Sequence, residues 1–88
     1  MLETIQKLES MITQEQRQKL EGILKDTYPI FSEVLRSENE AEAKERVEKF
    51  TQALKRAPLK ALKLNRLLTK EQRSIVFDLM PDDEGDDD

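Results

Sequence analysis

Apolar residues recur along this chain at intervals of three and four. Leu2, Ile5, Leu8 and Ile12 form a first set, and Leu20, Ile23, Leu24, Phe31, Val34 and Leu35 a second. Ala43, Val47, Phe50, Leu54, Ala57, Ala61, Leu64 and Leu68 continue in alternating steps of four and three. Such spacing puts the apolar side chains on one face of a helix. No stretch alternates at period two with β-branched residues, so the expected fold is all-α.

Boundaries follow from capping signals. Thr13–Gln14–Glu15–Gln16, Ser37–Glu38–Asn39–Glu40 and Thr69–Lys70–Glu71–Gln72 each fit a capping box. In that box a Ser or Thr oxygen accepts from the N3 amide while the N3 Glu or Gln reaches back. Helices are therefore expected to start near 14, 38 and 70. Thr27 is placed to cap a further turn that holds Pro29, which would otherwise kink a helix over 14–36. Pro81 is expected to end the last helix.

Pro58 decides the architecture. In one straight helix over 43–68, Leu59, Leu62 and Leu67 would point away from the main stripe, among lysines. A bend at Pro58 is favoured, with 59–68 a short, separately packed helix. The expectation is a small bundle of four or five helices in up-and-down order. It spans 1–81 and is followed by an acidic tail, 82–88, which has no apolar residue to bury and is expected to be disordered.

Composition narrows the chemistry. The chain has 88 residues, no Cys, no His and only two Gly. That excludes a disulfide framework, Cys–His or Ser–His–Asp nucleophiles and a Gly-rich phosphate cradle, and it disfavours zinc. The acidic tail lacks the spacing of a calcium loop. The carboxylates read as solvated helix faces and Tyr28, beside Pro29, as a core or staple residue. Neither enzymatic activity nor a cofactor nor a metal is expected. The start of the chain lacks a basic segment followed by an apolar run, and no apolar stretch approaches the length of a membrane span. No membrane partner is expected, and the expected location is cytoplasmic, or periplasmic if a signal peptide has been removed.

Charge is segregated beneath a net value of −4. Residues 49–73 carry eight cations against Glu71 alone, and residues 74–88 carry seven carboxylates and no cation. Lys49, Arg56, Lys60 and Lys63 share a narrow sector if 49–63 is roughly helical, and Arg66 and Lys70 extend it. The strip has no interleaved aromatics and no helix-turn-helix glycine, which weighs against base stacking and a DNA-reading motif. The leucines among these cations serve as core or wait for a partner helix or a second copy. The reading is a non-enzymatic adaptor or regulator that binds a protein through the Leu-rich basic region. Its expected contact residues are Lys49, Arg56, Lys60, Lys63, Arg66, Lys70, Leu59, Leu62 and Leu67. A weak homodimer is expected. The alternative partner is nucleic acid, with the acidic tail as an electrostatic cover over the basic strip.

One segment occurs twice. Ile12-Thr13-Gln14-Glu15-Gln16-Arg17 returns as Leu68-Thr69-Lys70-Glu71-Gln72-Arg73, each copy followed by an apolar pattern. The pair resembles the two LTxxQ signatures of the Spy/CpxP family of bacterial periplasmic stress chaperones. The resemblance implies an all-helical chain forming a cradle-shaped dimer that holds unfolded clients. Thr13, Gln16, Thr69 and Gln72 would be its signature positions. Helix capping by itself accounts for the same residues, and both readings stay open here.

Overall fold

Both copies of the repeated segment turn one helix into the next in the same way. Ile12 (φ −80°, ψ 124°) and Leu68 (φ −76°, ψ 147°) leave helical geometry, and Thr13 (φ −81°, ψ 164°) and Thr69 (φ −69°, ψ 167°) stay extended. The extended threonine then caps the helix that follows. Gln16 N–H donates to Thr13 Oγ1 at 3.1 Å, and Thr13 N–H donates to Gln16 Oε1 at 3.0 Å. The second copy repeats these bonds at 3.2 and 3.0 Å. Two donors that a helix start leaves without partners are thereby satisfied at each turn.

The computed structural model describes residues 1–80. Its helices are α1 (Leu2–Met11), α2 (Gln14–Leu24), α3 (Tyr28–Leu35), α4 (Glu40–Lys55), α5 (Pro58–Leu67) and α6 (Lys70–Leu79). A 3-10 turn over Lys25–Thr27 joins α2 to α3 without a gap. Counted as one bent helix, that run makes the bundle five helices, and the all-α expectation holds. Pro81 and the tail at 82–88, including its expected disorder, lie outside the described residues. Among the described residues no helix is long and apolar enough to cross a membrane.

Three local expectations are refined. The α2–α3 break sits at Lys25, whose φ of 50° and ψ of −111° take the backbone into the left-handed half of conformational space. Pro29 is then accommodated in the first turn of α3, and Thr27 makes no side-chain cap bond. The helix expected near 38 begins at Glu40, because Asn39 rather than Ser37 is its cap. Asn39 Oδ1 accepts from Glu42 N–H at 2.9 Å, while the buried Ser37 hydroxyl donates to the Val34 carbonyl at 2.9 Å and closes α3. The bend near Pro58 occurs as expected: α4 stops at Lys55, and Pro58 opens α5, where its missing N–H costs nothing.

Packing follows from the apolar faces. Phe31 of α3 and Phe50 of α4 stack in a tilted pair with centroids 5.2 Å apart. The Arg46 guanidinium on α4 donates to the Glu33 carbonyl at 3.0 Å. Helices α3, α4 and α5 are successive packed neighbours, whereas the two ends of the chain interlock, α1 against α6 and α2 against α5. Ile5, Leu8, Leu20, Leu24 and Leu64 lie at the centre of the core. Glu40 at the start of α4 accepts from Leu2 N–H at 2.7 Å and from the Met1 amine at 3.2 Å. These contacts, the Leu2 bond foremost, hold its carboxyl below the usual carboxylate range.

Candidate functional site

The repeated segments are in contact with each other. Gln16 Nε2 donates to Gln72 Oε1 at 2.8 Å, and Gln72 Nε2 donates back to Gln16 Oε1 at 3.0 Å. Gln72 Nε2 also donates to the Met11 carbonyl at 2.9 Å. Because each glutamine already closes its own capping box, the four residues Thr13, Gln16, Thr69 and Gln72 form one continuous network. The network joins the α1–α2 hairpin to the α5–α6 hairpin. The packing of α1 on α6 and of α2 on α5 exchanges the two hairpins as an approximate two-fold would. The sequence shows the repeat but not this pairing. The one available signal is the identical N3 glutamine in both boxes, where glutamate would cap as well.

The expected contact residues do not form one strip, because the chain turns between α4 and α5. Lys49 lies on α4 in a shallow depression with Glu33, Glu45, Arg46, Glu48 and Gln52, away from the α5 cations. Arg56 ends α4 and Lys70 begins α6, both exposed. On α5, Leu59, Leu62, Lys63 and Arg66 follow the i, i+3, i+4, i+7 spacing and share the outward face. Lys60 and Leu67 are half-buried on the adjoining edge. Lys60 Nζ reaches Thr27 Oγ1 at 3.5 Å, and Leu67 packs against the core. Among the described residues, none of Lys49, Arg56, Lys60, Lys63, Arg66 and Lys70 takes part in an ion pair.

The bend at Pro58 does not bury all the leucines. Leu64 and Leu68 enter the core, but Leu59 remains 71% exposed and Leu62 47%. Phe77 on α6, 69% exposed, adds a third large apolar side chain to the surface. Leu62 and Phe77 border an open groove of about 830 Å³ between α4, α5 and α6, with Leu54, Ala61, Val76 and Met80 in its lining. Phe77 was not among the expected contact residues. It sits one residue past Val76, off the buried stripe of Ile75, Val76 and Leu79, and an aromatic off the stripe is the signal that could have marked it. Adjacent exposed apolar side chains of this size are informative, whereas one alone would not be.

Among the described residues, no group of three or more His, Cys, Asp or Glu is placed to hold a metal ion. Comparison with protein-family models, with curated proteins and with solved structures finds no match to this chain.

Proposed function

We propose that this chain is a non-enzymatic adaptor or regulator that binds a protein partner through the outward face of α5 and the adjoining part of α6. The observation that carries the reading is the conjunction of Leu59, Leu62 and Phe77 in solvent with Lys63 and Arg66 beside them. Apolar anchors give affinity, and the flanking cations give orientation and partner choice. A phosphate backbone would use the cations but would leave the two leucines and the phenylalanine in water, so protein is favoured over nucleic acid.

A second reading is a chaperone that holds unfolded clients, as in the family the repeated segment resembles. In its favour, both copies of the segment take one geometry and meet through Gln16 and Gln72, so the repeat is more than two independent helix starts.

The test is capture from an extract of the native source with wild-type chain and with a Leu59→Glu, Leu62→Glu variant of equal helicity by circular dichroism. A discrete protein held by wild type and lost by the variant is the expected result. Retention of that protein by the variant would remove the α5 assignment. Recovery mainly of nucleic acid, falling steeply with salt, would replace the reading. A heterogeneous set of unfolded proteins, insensitive to salt, would favour the chaperone.

A further inference from the structure

We infer that the outward face of α5 takes an acidic segment of the partner protein, one that carries large apolar side chains beside its carboxylates. This rests on the reading of α5 as a partner-binding face and names the chemistry of what that face binds.

The charge of α5 has one sign. Helices α1, α2, α3, α4 and α6 all contain Asp or Glu, and α5 contains neither. From Lys49 to Lys70 the chain holds no carboxylate at all. Elsewhere a cation finds its partner one turn away: Lys19 meets Glu15 at 3.6 Å on α2, and Arg46 meets Glu42 at 3.8 Å on α4. Lys63 and Arg66 have no such neighbour on their own helix, and among the described residues neither takes part in an ion pair. A face with exposed charge of one sign selects a partner of the other sign.

The leucines add a second requirement. Lys63 follows Leu59 by one turn, and Arg66 follows Leu62 by one turn, so two apolar side chains and two cations share one exposed patch. The patch runs about 10 Å along the helix, at 1.5 Å per residue, with its apolar half toward the start of α5 and its cationic half toward the end. Carboxylates alone would answer the cations and leave Leu59 and Leu62 in water. Apolar groups alone would cover the leucines and desolvate the cations without pairing them. A segment that brings both matches the whole patch. The chain's own residues 82–88 carry six carboxylates and no apolar side chain, so they answer the cations only. A second copy seated face to face across a two-fold would bring four cations together and supply no carboxylate, which costs affinity.

The experiment uses the full chain and three labelled synthetic peptides of about 12 residues, longer than the patch even when helical. One is built from Glu and Leu, one from Lys and Leu in the same order, and one from Glu and Ser. Affinities come from fluorescence anisotropy, and the site comes from amide NMR shifts. The Glu–Leu peptide is expected to bind at least about tenfold more tightly than either of the others, with shifts centred on residues 59–66. Its advantage over the Lys–Leu peptide should shrink as salt rises. Lys63→Glu with Arg66→Glu should invert that preference. Lys7→Glu with Lys44→Glu, the same change of net charge on other helices, should leave it in place. Leu59→Ser with Leu62→Ser, at unchanged helicity, should reduce the Glu–Leu peptide to the affinity of the Glu–Ser peptide. Equal binding of the Glu–Leu and Lys–Leu peptides, or shifts centred elsewhere, overturns the inference. So does a random DNA duplex bound more tightly than the Glu–Leu peptide, which assigns the cations to phosphate. A sedimenting dimer abolished by Leu62→Glu assigns the face to a second copy, and shifts at 59–66 on deleting 82–88 assign it to the tail; either result also overturns it. If the Glu–Leu peptide fails while the captured partner still depends on Leu59 and Leu62, the binding face stands and the acidic chemistry is refuted.

Discussion

Gln72 uses its whole amide. It is 2% exposed, its oxygen accepts from Thr69 N–H and from Gln16 Nε2, and its nitrogen donates to the Met11 carbonyl and to Gln16 Oε1. That fills every donor and acceptor position a primary amide offers. Gln16, half-buried, takes part in the same network but keeps access to water. The two residues are alike in sequence and unequal in energetic consequence. Truncating Gln72 leaves the Met11 carbonyl, on a half-buried residue, without its partner, breaks the cap bond to the Thr69 amide and removes a fully buried side chain. A stranded buried group alone costs about 1–3 kcal/mol. Gln72→Ala should therefore lower unfolding stability by about 3 kcal/mol, and Gln16→Ala by about 1 kcal/mol. In urea titrations, the double variant should lose less than the sum of the two, because the bonds between them are removed only once. Equal small losses, additive in the double variant, would mean that the two capping boxes act independently and that the pairing contributes nothing.

At the scale of the helix, the face a residue takes depends on where its helix bends and on what packs beside it. Removing Leu62 or Leu59 takes away no core contact, so Leu62→Glu or Leu59→Glu should change stability by no more than about 0.5 kcal/mol. Leu67 packs against the core from the edge of the same helix, and Leu67→Glu should cost about 2 kcal/mol or more, through a carboxylate placed against apolar neighbours. Thermal unfolding of the three variants checks the order, and a Leu62→Glu loss as large as that of Leu67→Glu would show that Leu62 is a core residue. The same dependence explains what was legible beforehand. Thr13 and Thr69 act through hydroxyls that cap the next turn, and Pro58 through its own backbone. All three effects are local, so the turns at 12–13 and 68–69 and the bend before α5 are legible in the chain. Ser37 and Asn39 both suit a cap, and local chemistry does not say which will be used; here the Ser37 hydroxyl closes α3 and Asn39 opens α4. The break at Lys25 carries no glycine to announce it. The leucines on the outward face of α5 are legible in the sequence as surplus to one stripe. The groove beside them is not, because it needs α6 laid against α1, and Gln72 meets Met11 across 61 residues of chain.

For the molecule as a whole, that closure of the ends is one of the packings that build its core. Helix α6 contributes Ile75, Val76 and Leu79 to the buried cluster, and Gln72 to the network that spans both hairpins. Its main partner is α1, at the other end of the sequence. Burying three aliphatic side chains is worth roughly 6 kcal/mol, at about 1.5–3 kcal/mol each. A domain of this size has a total stability of only about 4–13 kcal/mol. Removing α6 thus takes away an amount comparable to the whole, before counting the α1 surface it uncovers. Apart from α4, with 16 residues, the remaining helices have 8 to 11 residues, and helices below about 12–15 residues are marginal when isolated in water. A chain ending at Leu68 should consequently lose far more helical signal in the far ultraviolet than the ten residues of α6 supply, and it should show no cooperative thermal transition. The full chain should unfold in a single step with circular dichroism and Tyr28 fluorescence coincident. A truncated chain that kept a sharp transition, and lost only the α6 share of its helicity, would show that α1 through α5 form a self-sufficient bundle. In that case the interlock of the two hairpins would have to be explained by what it builds at the surface, the groove between α4, α5 and α6, and not by the stability it gives the core.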